Sequence, residues 1–232
     1  MPEFIRLTEN KIPVYALGDT RVDSVIQKIE NRGSVADPLK KLLPAHERAV
    51  ILASTYPVCD EVLIPIIPDI LNSNRSVWIF PHHINKNRIE EIKENLAKHN
   101  ISYSLFSEIE QQFEKVILFD KLGILAFAYE HGEIAYVGGA IHNRVHNVLE
   151  PAYFGLPIVT GKNIFHSPEA ISLQESKGLF RLDKKEYIPG QILSLLKDKA
   201  KLDILKKNNH EFVLSQKGAS QRLYDQFIKR PT

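Results

Sequence analysis

The sequence predicts an α/β protein with a Rossmann-like, doubly wound, mainly parallel sheet, helices on both faces and a helical carboxy-terminal tail. Three observations support this fold class. Short β-branched runs alternate with amphipathic helical patterns along the chain. Most of these runs are apolar throughout, which is typical of strands buried on both faces. The 232 residues are 44% hydrophobic and 25% charged, which is enough to bury one sizeable core.

Eight segments have the composition of strands. In chain order they are Val14–Leu17, Ala49–Ala53, Val77–Phe80, Ser102–Phe106, Val116–Phe119, Ile134–Val137, Ile158–Thr160 and Gly178–Leu182. The clearest helix places Ile89, Ile92 and Leu96 on one face and charged residues on the other. From about residue 188 onward, helical spacing in a lysine-rich background predicts two or three closing helices.

The composition excludes several classes of protein. No apolar run reaches the ~18 to 20 residues of a membrane span, and the amino terminus lacks the pattern of a secretory signal. The single cysteine, Cys59, excludes an internal disulfide and a cysteine-cluster metal site. A net charge of +2 is too small for a protein that wraps nucleic acid. We therefore expect a cytosolic domain that binds a small ligand.

Ligands of such sheets bind beyond the carboxyl ends of the strands, and five segments there carry polar residues or glycine. The first is Leu17–Asp23, where Asp19 or Thr20 caps a helix or contributes to a domain interface. In the second, Ser54 and Thr55 precede the acidic pair Asp60-Glu61. These hydroxyls either donate to a phosphate or carboxylate, or cap the helix that contains Glu61.

The third and fourth segments follow two further strands. Pro81-His82-His83 places two histidines in a loop. Because adjacent side chains on an extended chain point to opposite sides, we disfavour a metal site and expect an anion-facing or a plain loop histidine. In Asp120–Ile124, Gly123 lies between Leu122 and Ile124. Glycine there either forms a simple turn or allows the backbone to approach a ligand closely.

The fifth segment runs from Gly138 to Pro151, from a strand end into a helix start. One interpretation is a capping box, in which Asn147 caps the helix and Glu150 reaches back to it. The other is a nucleotide site, with phosphate at the helix amino terminus and ribose on Glu150. We favour the nucleotide, because a capping box leaves Gly138-Gly139 and the basic loop with Arg144 unexplained.

Taken in this order, the five segments resemble the carboxy-terminal half of the 3-deoxy-D-manno-octulosonic acid (Kdo) transferases, glycosyltransferase family 30. The motifs that carry the resemblance are Gly18–Asp23, Ser54–Glu61, Pro81–His83, Asp120–Gly123 and Gly138–Pro151. The last of these, followed by Gly155-Leu156-Pro157-Ile158, is the specific one. The resemblance implies one half of a GT-B fold, in which two Rossmann-like domains face a cleft and the second binds the nucleotide sugar.

The resemblance also implies a function, namely transfer of Kdo from CMP-Kdo to a lipid A precursor in lipopolysaccharide biosynthesis. The reaction needs no metal or other cofactor and takes place at the cytoplasmic side of the bacterial inner membrane. The implied donor-binding residues are Ser54, Thr55, Pro81, His82, Leu122, Gly123, Ile124, Gly138, Gly139, Arg144, His146, Asn147, Val148, Leu149 and Glu150.

The family's acceptor domain, which also carries the general base and contacts the membrane, precedes the first motif and has no counterpart in this chain. We therefore expect no catalytic residue here. Residues 14–232 form the donor domain, and residues 1–13, with the cloning-like start Met1-Pro2-Glu3-Phe4, are an interdomain remnant or a cloning junction. We expect the isolated chain to bind CMP weakly, to be inactive and to be soluble.

Two departures from the family pattern affect the phosphate contacts. The loop that carries arginine before histidine in the family reads Pro81-His82-His83 here, so either His82 substitutes for the arginine or Arg144 compensates. The Gly-Gly-His-Asn segment is interrupted and reads Arg144–Asn147 before the helix. Two alternatives stay open: another GT-B enzyme, such as a UDP-sugar transferase or a sugar-nucleotide epimerase, and a non-catalytic nucleotide-binding module.

Overall fold

A computed structural model describes residues 14–31, 39, 41–43 and 47–229. Seven parallel strands form one sheet in the order β3-β4-β2-β1-β5-β6-β7, and the predicted fold class is confirmed. The strands are β1 (Ala49–Thr55), β2 (Ser76–Pro81), β3 (Ser104–Leu105), β4 (Val116–Leu118), β5 (Gly132–Val137), β6 (Ile158–Thr160) and β7 (Leu179–Arg181).

Helices connect the strands and close the chain. They are α1 (Thr20–Glu30), α2 (Pro57–Leu63), α3 (Ile67–Asn72), α4 (Lys86–Lys98), α5 (Leu125–Ala128), α6 (Leu149–Tyr153), α7 (Pro168–Glu175), α8 (Ile188–Leu196), α9 (Lys199–Ser215) and α10 (Ala219–Phe227). The three helices from residue 188 onward confirm the predicted helical tail.

Each face of the sheet has its own hydrophobic core, because side chains alternate along the strands. In β1, Ile51 joins a core formed with α1, α5, α6 and α7. Its neighbours Val50 and Leu52 join the core on the opposite face, formed with α2, α3, α4 and α8. Burial on both faces explains why the strands are apolar throughout.

Seven of the eight predicted strands are present, although Ser102–Phe106 is reduced to two paired residues. The prediction for Val14–Leu17 is wrong. This segment has no strand partner among the described residues and lies against α10 instead. Tyr15 contacts the Phe227 ring edge-on, and Arg222 donates to the Leu17 carbonyl. The predicted remnant, residues 1–13, lies outside the described residues.

The carboxy-terminal tail is linked to α1 by hydrogen bonds to one carboxylate. Asp23 in α1 accepts hydrogen bonds from the backbone amides of Gly218 (2.6 Å) and Ser220 (2.7 Å) at the start of α10. The predicted cap of α1 is also confirmed, since the Asp19 side chain accepts from the Arg21 amide at 2.9 Å. α1 and α10 therefore pack as a unit beside the sheet.

The sheet reverses its strand order at β1, which lies between β2 and β5. Ala53 at the end of β1 is level with Phe80 in β2 and with Val137 in β5. The loops that follow these three strands therefore begin side by side, at the place where open α/β sheets bind their ligands. No helix in the described part of the chain is long and apolar enough to cross a bilayer.

Candidate functional site

The ends of β1 and β5 approach each other so closely that only glycine fits between them. The pairing of β1 is irregular at Ser54, which has a positive φ of 51°. A Cβ on Gly138 would collide with the Ser54 carbonyl. Gly139 has a φ of +93°, and a Cβ there would collide with the Arg144 carbonyl. The two glycines therefore allow the loop between β5 and α6 to pack closely against the end of β1.

Five aromatic rings from three loops lie together near the ends of β1 and β5. We name them the ring cluster: Tyr56, His82, His83, His142 and His146. The Tyr56 hydroxyl and His146 Nε2 are 3.0 Å apart, within hydrogen-bonding distance. The His82 and His146 rings stack with centroids 4.3 Å apart, and the Tyr56 and His142 centroids are 4.5 Å apart.

The prediction that His82 and His83 point to opposite sides is wrong. Their ring centroids lie 4.5 Å apart because β2 ends at Pro81 and the chain bends at both histidines. Among the described residues, no group of three or more histidine, cysteine or acidic side chains could hold a metal ion.

Burial opposes protonation of two histidines in the ring cluster. Burial lowers the pKa of His146 to about 4, and the positive charges expected on His82 and Arg144 add to the shift. Burial also lowers the pKa of His82, with smaller contributions from His83 and His142. Throughout the described residues, no ion pair joins any of these histidines to a carboxylate.

A buried ion pair connects the helices behind the ring cluster. Arg88 in α4 and Asp60 in α2 are 2.6 Å apart, with side-chain exposures of 8% and 5%. Burial raises the pKa of Asp60 to about 6, although Arg88 opposes the shift. Because α2 follows Tyr56 and α4 follows His83, this pair fixes the two loops relative to each other. Glu61 instead is exposed and pairs with Lys185.

The capping box, the alternative interpretation of the fifth segment, does not form. The helix begins at Leu149 and has only five residues, and Val148 occupies the cap position. Asn147 accepts from the Leu149 amide at 2.9 Å, whereas Glu150 Oε1 accepts from Lys28 Nζ of α1 at 2.8 Å. A helix of little more than one turn has a small dipole, so positive charge at this site must come from side chains.

A second group of charged residues lies beside α1, near the β5–α6 loop. Arg21 pairs with Asp19 at 2.6 Å and with Glu169 at 2.8 Å. We name this pairing, together with Lys28–Glu150, the ion-paired flank. Its residues Arg21 and Glu169 line a cleft of about 520 Å³, which is also lined by Arg144, His146, Asn147 and His166.

The structure divides the predicted donor-binding residues by accessibility. Exposed side chains are offered by Leu122, Arg144 and Asn147, and Leu122 is 81% exposed. Gly123 is also exposed, with a φ of +83° and no atom within 4 Å of an added Cβ. Ser54, His82 and His146 are half-buried. The remaining residues are buried: Thr55, Pro81, Ile124, Gly138, Gly139, Val148, Leu149 and Glu150. Glu150 can offer a ligand its carboxylate, whereas the others can offer at most their backbone.

Sequence reasoning assigned no role to three residues of this region. Tyr56 and His142 complete the ring cluster, and Arg88 pairs with Asp60 of the predicted acidic pair behind it. Tyr56 follows Ser54-Thr55 at a strand end, so its position could have identified it. The pairing of Asp60 with Arg88 depends on how α2 and α4 pack, which their spacing in the sequence does not reveal.

Comparison with known proteins finds no matching family model. In sequence, the chain is 29% identical over 210 residues to the 3-deoxy-D-manno-octulosonic acid transferase of Haemophilus influenzae, covering 88% of this chain and 47% of the relative. It is 34% identical over 119 residues to the transferase of the same name from Chlamydophila psittaci, covering 50% of this chain and 27% of the relative. The chain thus spans less than half the length of these relatives.

Two solved structures share the fold. The C-terminal CMP-Kdo binding domain of WaaA from Acinetobacter baumannii superposes with a TM-score of 0.66 at 19% identity, over 82% of this chain and 98% of that domain. The UDP-GlcNAc 2-epimerase of Neisseria meningitidis superposes with a TM-score of 0.60 at 16% identity, over 97% of this chain and 58% of that one. The chain is related in sequence to the Kdo transferases and has the fold of one half of a GT-B glycosyltransferase.

Proposed function

We propose that this chain is the donor-binding half of a Kdo transferase, which moves Kdo from CMP-Kdo to a lipid A precursor at the cytoplasmic face of the inner membrane. The observation that carries the proposal is the sequence similarity to a Kdo transferase over 88% of the chain. The similarity includes the loop that lies at the reversal of strand order, where the fold binds ligands.

In this proposal the nucleotide lies along the carboxyl edge of the sheet, from β4 to β5. The base lies against Leu122 and Gly123, where an apolar side chain is exposed and no atom lies within 4 Å of a Cβ added to the glycine. The ribose hydroxyls donate to Glu150, since the contact with Lys28 uses one of its two carboxylate oxygens. The phosphate lies between the ring cluster and Arg144, the exposed cation of the β5–α6 loop.

This half of the enzyme would promote the reaction by stabilising the leaving group. As the bond between Kdo and CMP breaks, negative charge grows on the phosphate of CMP, and Arg144 and the histidines are placed to stabilise it. Deprotonation of the acceptor hydroxyl requires a general base. We infer that a residue in the part of the enzyme that this chain does not match supplies the base and the acceptor site.

The proposal is tested by calorimetric titration of the chain with CMP and with UDP. We expect CMP to bind more tightly than UDP, by about tenfold or roughly 1.4 kcal/mol. We also expect no product when the chain alone is mixed with CMP-Kdo and a lipid A precursor. Tighter binding of UDP would contradict the proposal and favour a UDP-sugar enzyme, since an epimerase that binds UDP-GlcNAc shares this fold.

A further inference from the structure

The ring cluster has a property that donor binding alone does not require, namely four histidines gathered without a counter-charge. The loop after β2 contributes His82 and His83, and the loop after β5 contributes His142 and His146. The loop after β1 contributes Tyr56, which contacts all four rings.

The charged groups near the cluster are the unpaired cation Arg144 and carboxylates that are already paired. Arg144 is in the same loop as His146 and adds positive charge beside it. Behind Tyr56 lies the buried thiol of Cys59, whose pKa is raised by burial. Behind the cluster, Asp60 already pairs with the buried Arg88. Glu169 of α7 lines the same cleft as His146 and already pairs with Arg21. A proton added to any of these imidazoles therefore meets no unpaired carboxylate that could stabilise it.

An anion bound at the ring cluster would supply the negative charge that stabilises a protonated histidine. Imidazole titrates near neutral pH, and a negative charge within a few ångströms favours its protonated form. A protonated ring in turn offers the anion a charge-assisted hydrogen bond, which is stronger than a neutral one. Binding of the anion and binding of the proton therefore support each other.

We propose that the ring cluster binds the phosphodiester of the donor nucleotide and takes up protons as it does so, so that donor affinity rises as the pH falls. This inference rests on the proposed function, because it assigns a phosphate to the same edge of the sheet. It adds His83, His142 and Tyr56 to the site. It also explains how the chain holds a phosphate in a loop that reads Pro81-His82-His83.

The test uses the methyl ester of CMP, a phosphodiester that keeps one negative charge across the experiment, whereas the phosphate of CMP itself titrates near pH 6. Calorimetry at about pH 7.5 and about pH 6 should show affinity rising about five- to tenfold on acidification. At about pH 7, titrations in two buffers of different ionisation enthalpy should show uptake of roughly half a proton or more per ligand bound.

The decisive variant is the double substitution His82→Gln with His146→Gln, because glutamine keeps a hydrogen-bonding side chain that does not titrate. We expect proton uptake to disappear and the pH effect to fall below about twofold. If this variant does not fold, the exposed pair His83→Gln and His142→Gln is used, with a reduced uptake expected. The matched control is His99→Gln, at the end of α4, which should behave like the wild type.

The outcomes separate the two proposals. Binding without proton uptake, or uptake that persists in the double variant, overturns the inference and leaves the proposed function intact. No binding of the methyl ester at either pH overturns the proposed function and the inference with it. Loss of binding after treatment with EDTA would show a metal ion at the histidines and would also overturn the inference.

Discussion

The ring cluster and the ion-paired flank handle charge in opposite ways, although His146 of the cluster and Arg21 of the flank line the same cleft. On the flank, Arg21 is neutralised by Asp19 and Glu169, and Lys28 is neutralised by Glu150. In the ring cluster, histidines stack on one another with no carboxylate paired to them among the described residues.

This difference indicates that the ring cluster is better suited than the ion-paired flank to bind an anion. A phosphate that approaches the flank has to displace carboxylates from Arg21 or Lys28. A phosphate that approaches the ring cluster displaces no internal counter-ion and induces the positive charge it needs. The flank is better suited to the neutral part of a nucleotide, such as ribose hydroxyls that share Glu150 with Lys28. The following predictions test this division.

The largest expected effect concerns the glycine that fixes the loop between the two sides. Gly138→Ala should lower the free energy of unfolding by about 3 kcal/mol or more, because the added methyl group collides with the Ser54 carbonyl of β1. Urea denaturation measures the change.

The matched control is Gly123→Ala in the turn after β4. Unlike Gly138, this glycine has a positive φ, +83°, but an added Cβ meets no atom within 4 Å. We expect a cost of about 1 to 2 kcal/mol, from the left-handed backbone alone. Equal costs for the two variants would contradict a tight seam between β1 and β5.

The pH dependence of stability should identify the ring cluster. The folded pKa of His146, about 4, lies below its ordinary value of 6.5. Between these values the unfolded chain binds more protons, so His146 stabilises the fold above pH 6.5 and this contribution is lost as the pH falls toward 4. Because the ring is half-exposed, solvent screening reduces the loss to about 1 to 2 kcal/mol.

The measurement compares urea denaturation of the wild type and of His146→Gln at about pH 7.5 and about pH 4.5. The wild type should lose about 1 to 2 kcal/mol more than the variant. The wild type has to be compared with the variant because the stability of both proteins also depends on Asp60. The folded pKa of Asp60 is raised to about 6, so this residue has the opposite effect on the pH dependence of stability. Its contribution grows as the pH falls from 6 toward 3.8. Parallel curves for the two proteins would contradict a neutral, buried His146.

On the flank, Glu150→Gln should weaken CMP binding by about 0.5 to 2 kcal/mol, or roughly two- to thirtyfold, because a neutral acceptor replaces a charged one at the ribose. The loss should be smaller for 2′-deoxy-CMP. Lys28→Gln is the matched control. It breaks the same ion pair from the other side and frees Glu150 Oε1, so CMP binding should be unchanged or tighter.

Calorimetric titration of the three proteins with both nucleotides separates ribose binding from a purely structural ion pair. If Glu150→Gln and the wild type bind CMP equally well, Glu150 serves only to hold α1 against α6 through Lys28.

The smallest effects are expected from single arginines. Arg144→Gln should weaken CMP binding by about three- to tenfold, since this exposed cation has no carboxylate partner in the described part of the chain. Arg21→Gln should change it less than about twofold, because Arg21 is already neutralised. If Arg21→Gln weakened CMP binding more than Arg144→Gln, the phosphate would bind at the ion-paired flank instead.

The sequence predicted the strands well because burial on both faces leaves a strong local signal. Ile158–Thr160 is observed with the predicted bounds, and Val116–Phe119 is shortened by one residue. Val14–Leu17 has the same apolar composition but no strand partner, and it packs on α10 through Tyr15 and Leu17. Composition indicates that a segment is apolar, but not what covers it.

The site was only partly predictable, for a related reason. The five segments lie at strand ends, and parallel strands bring their carboxyl ends to one edge, so their convergence could be expected. That Tyr56, His82 and His146 stack depends on β1 lying between β2 and β5. That Glu150 pairs with Lys28 depends on the docking of α1. Both are long-range contacts with no local signature.

The central claim, that a cytidine nucleotide binds at the carboxyl edge of the sheet, is tested most directly by NMR. CMP is titrated into the ¹⁵N-labelled chain, and the amide shifts are mapped onto the fold. We predict shifts in the loops after β1, β2, β4 and β5, including Tyr56, Gly123 and Asn147, and none around His210 and Arg48, which line a separate cleft. Shifts confined to that cleft, or none at saturating CMP, would contradict the account.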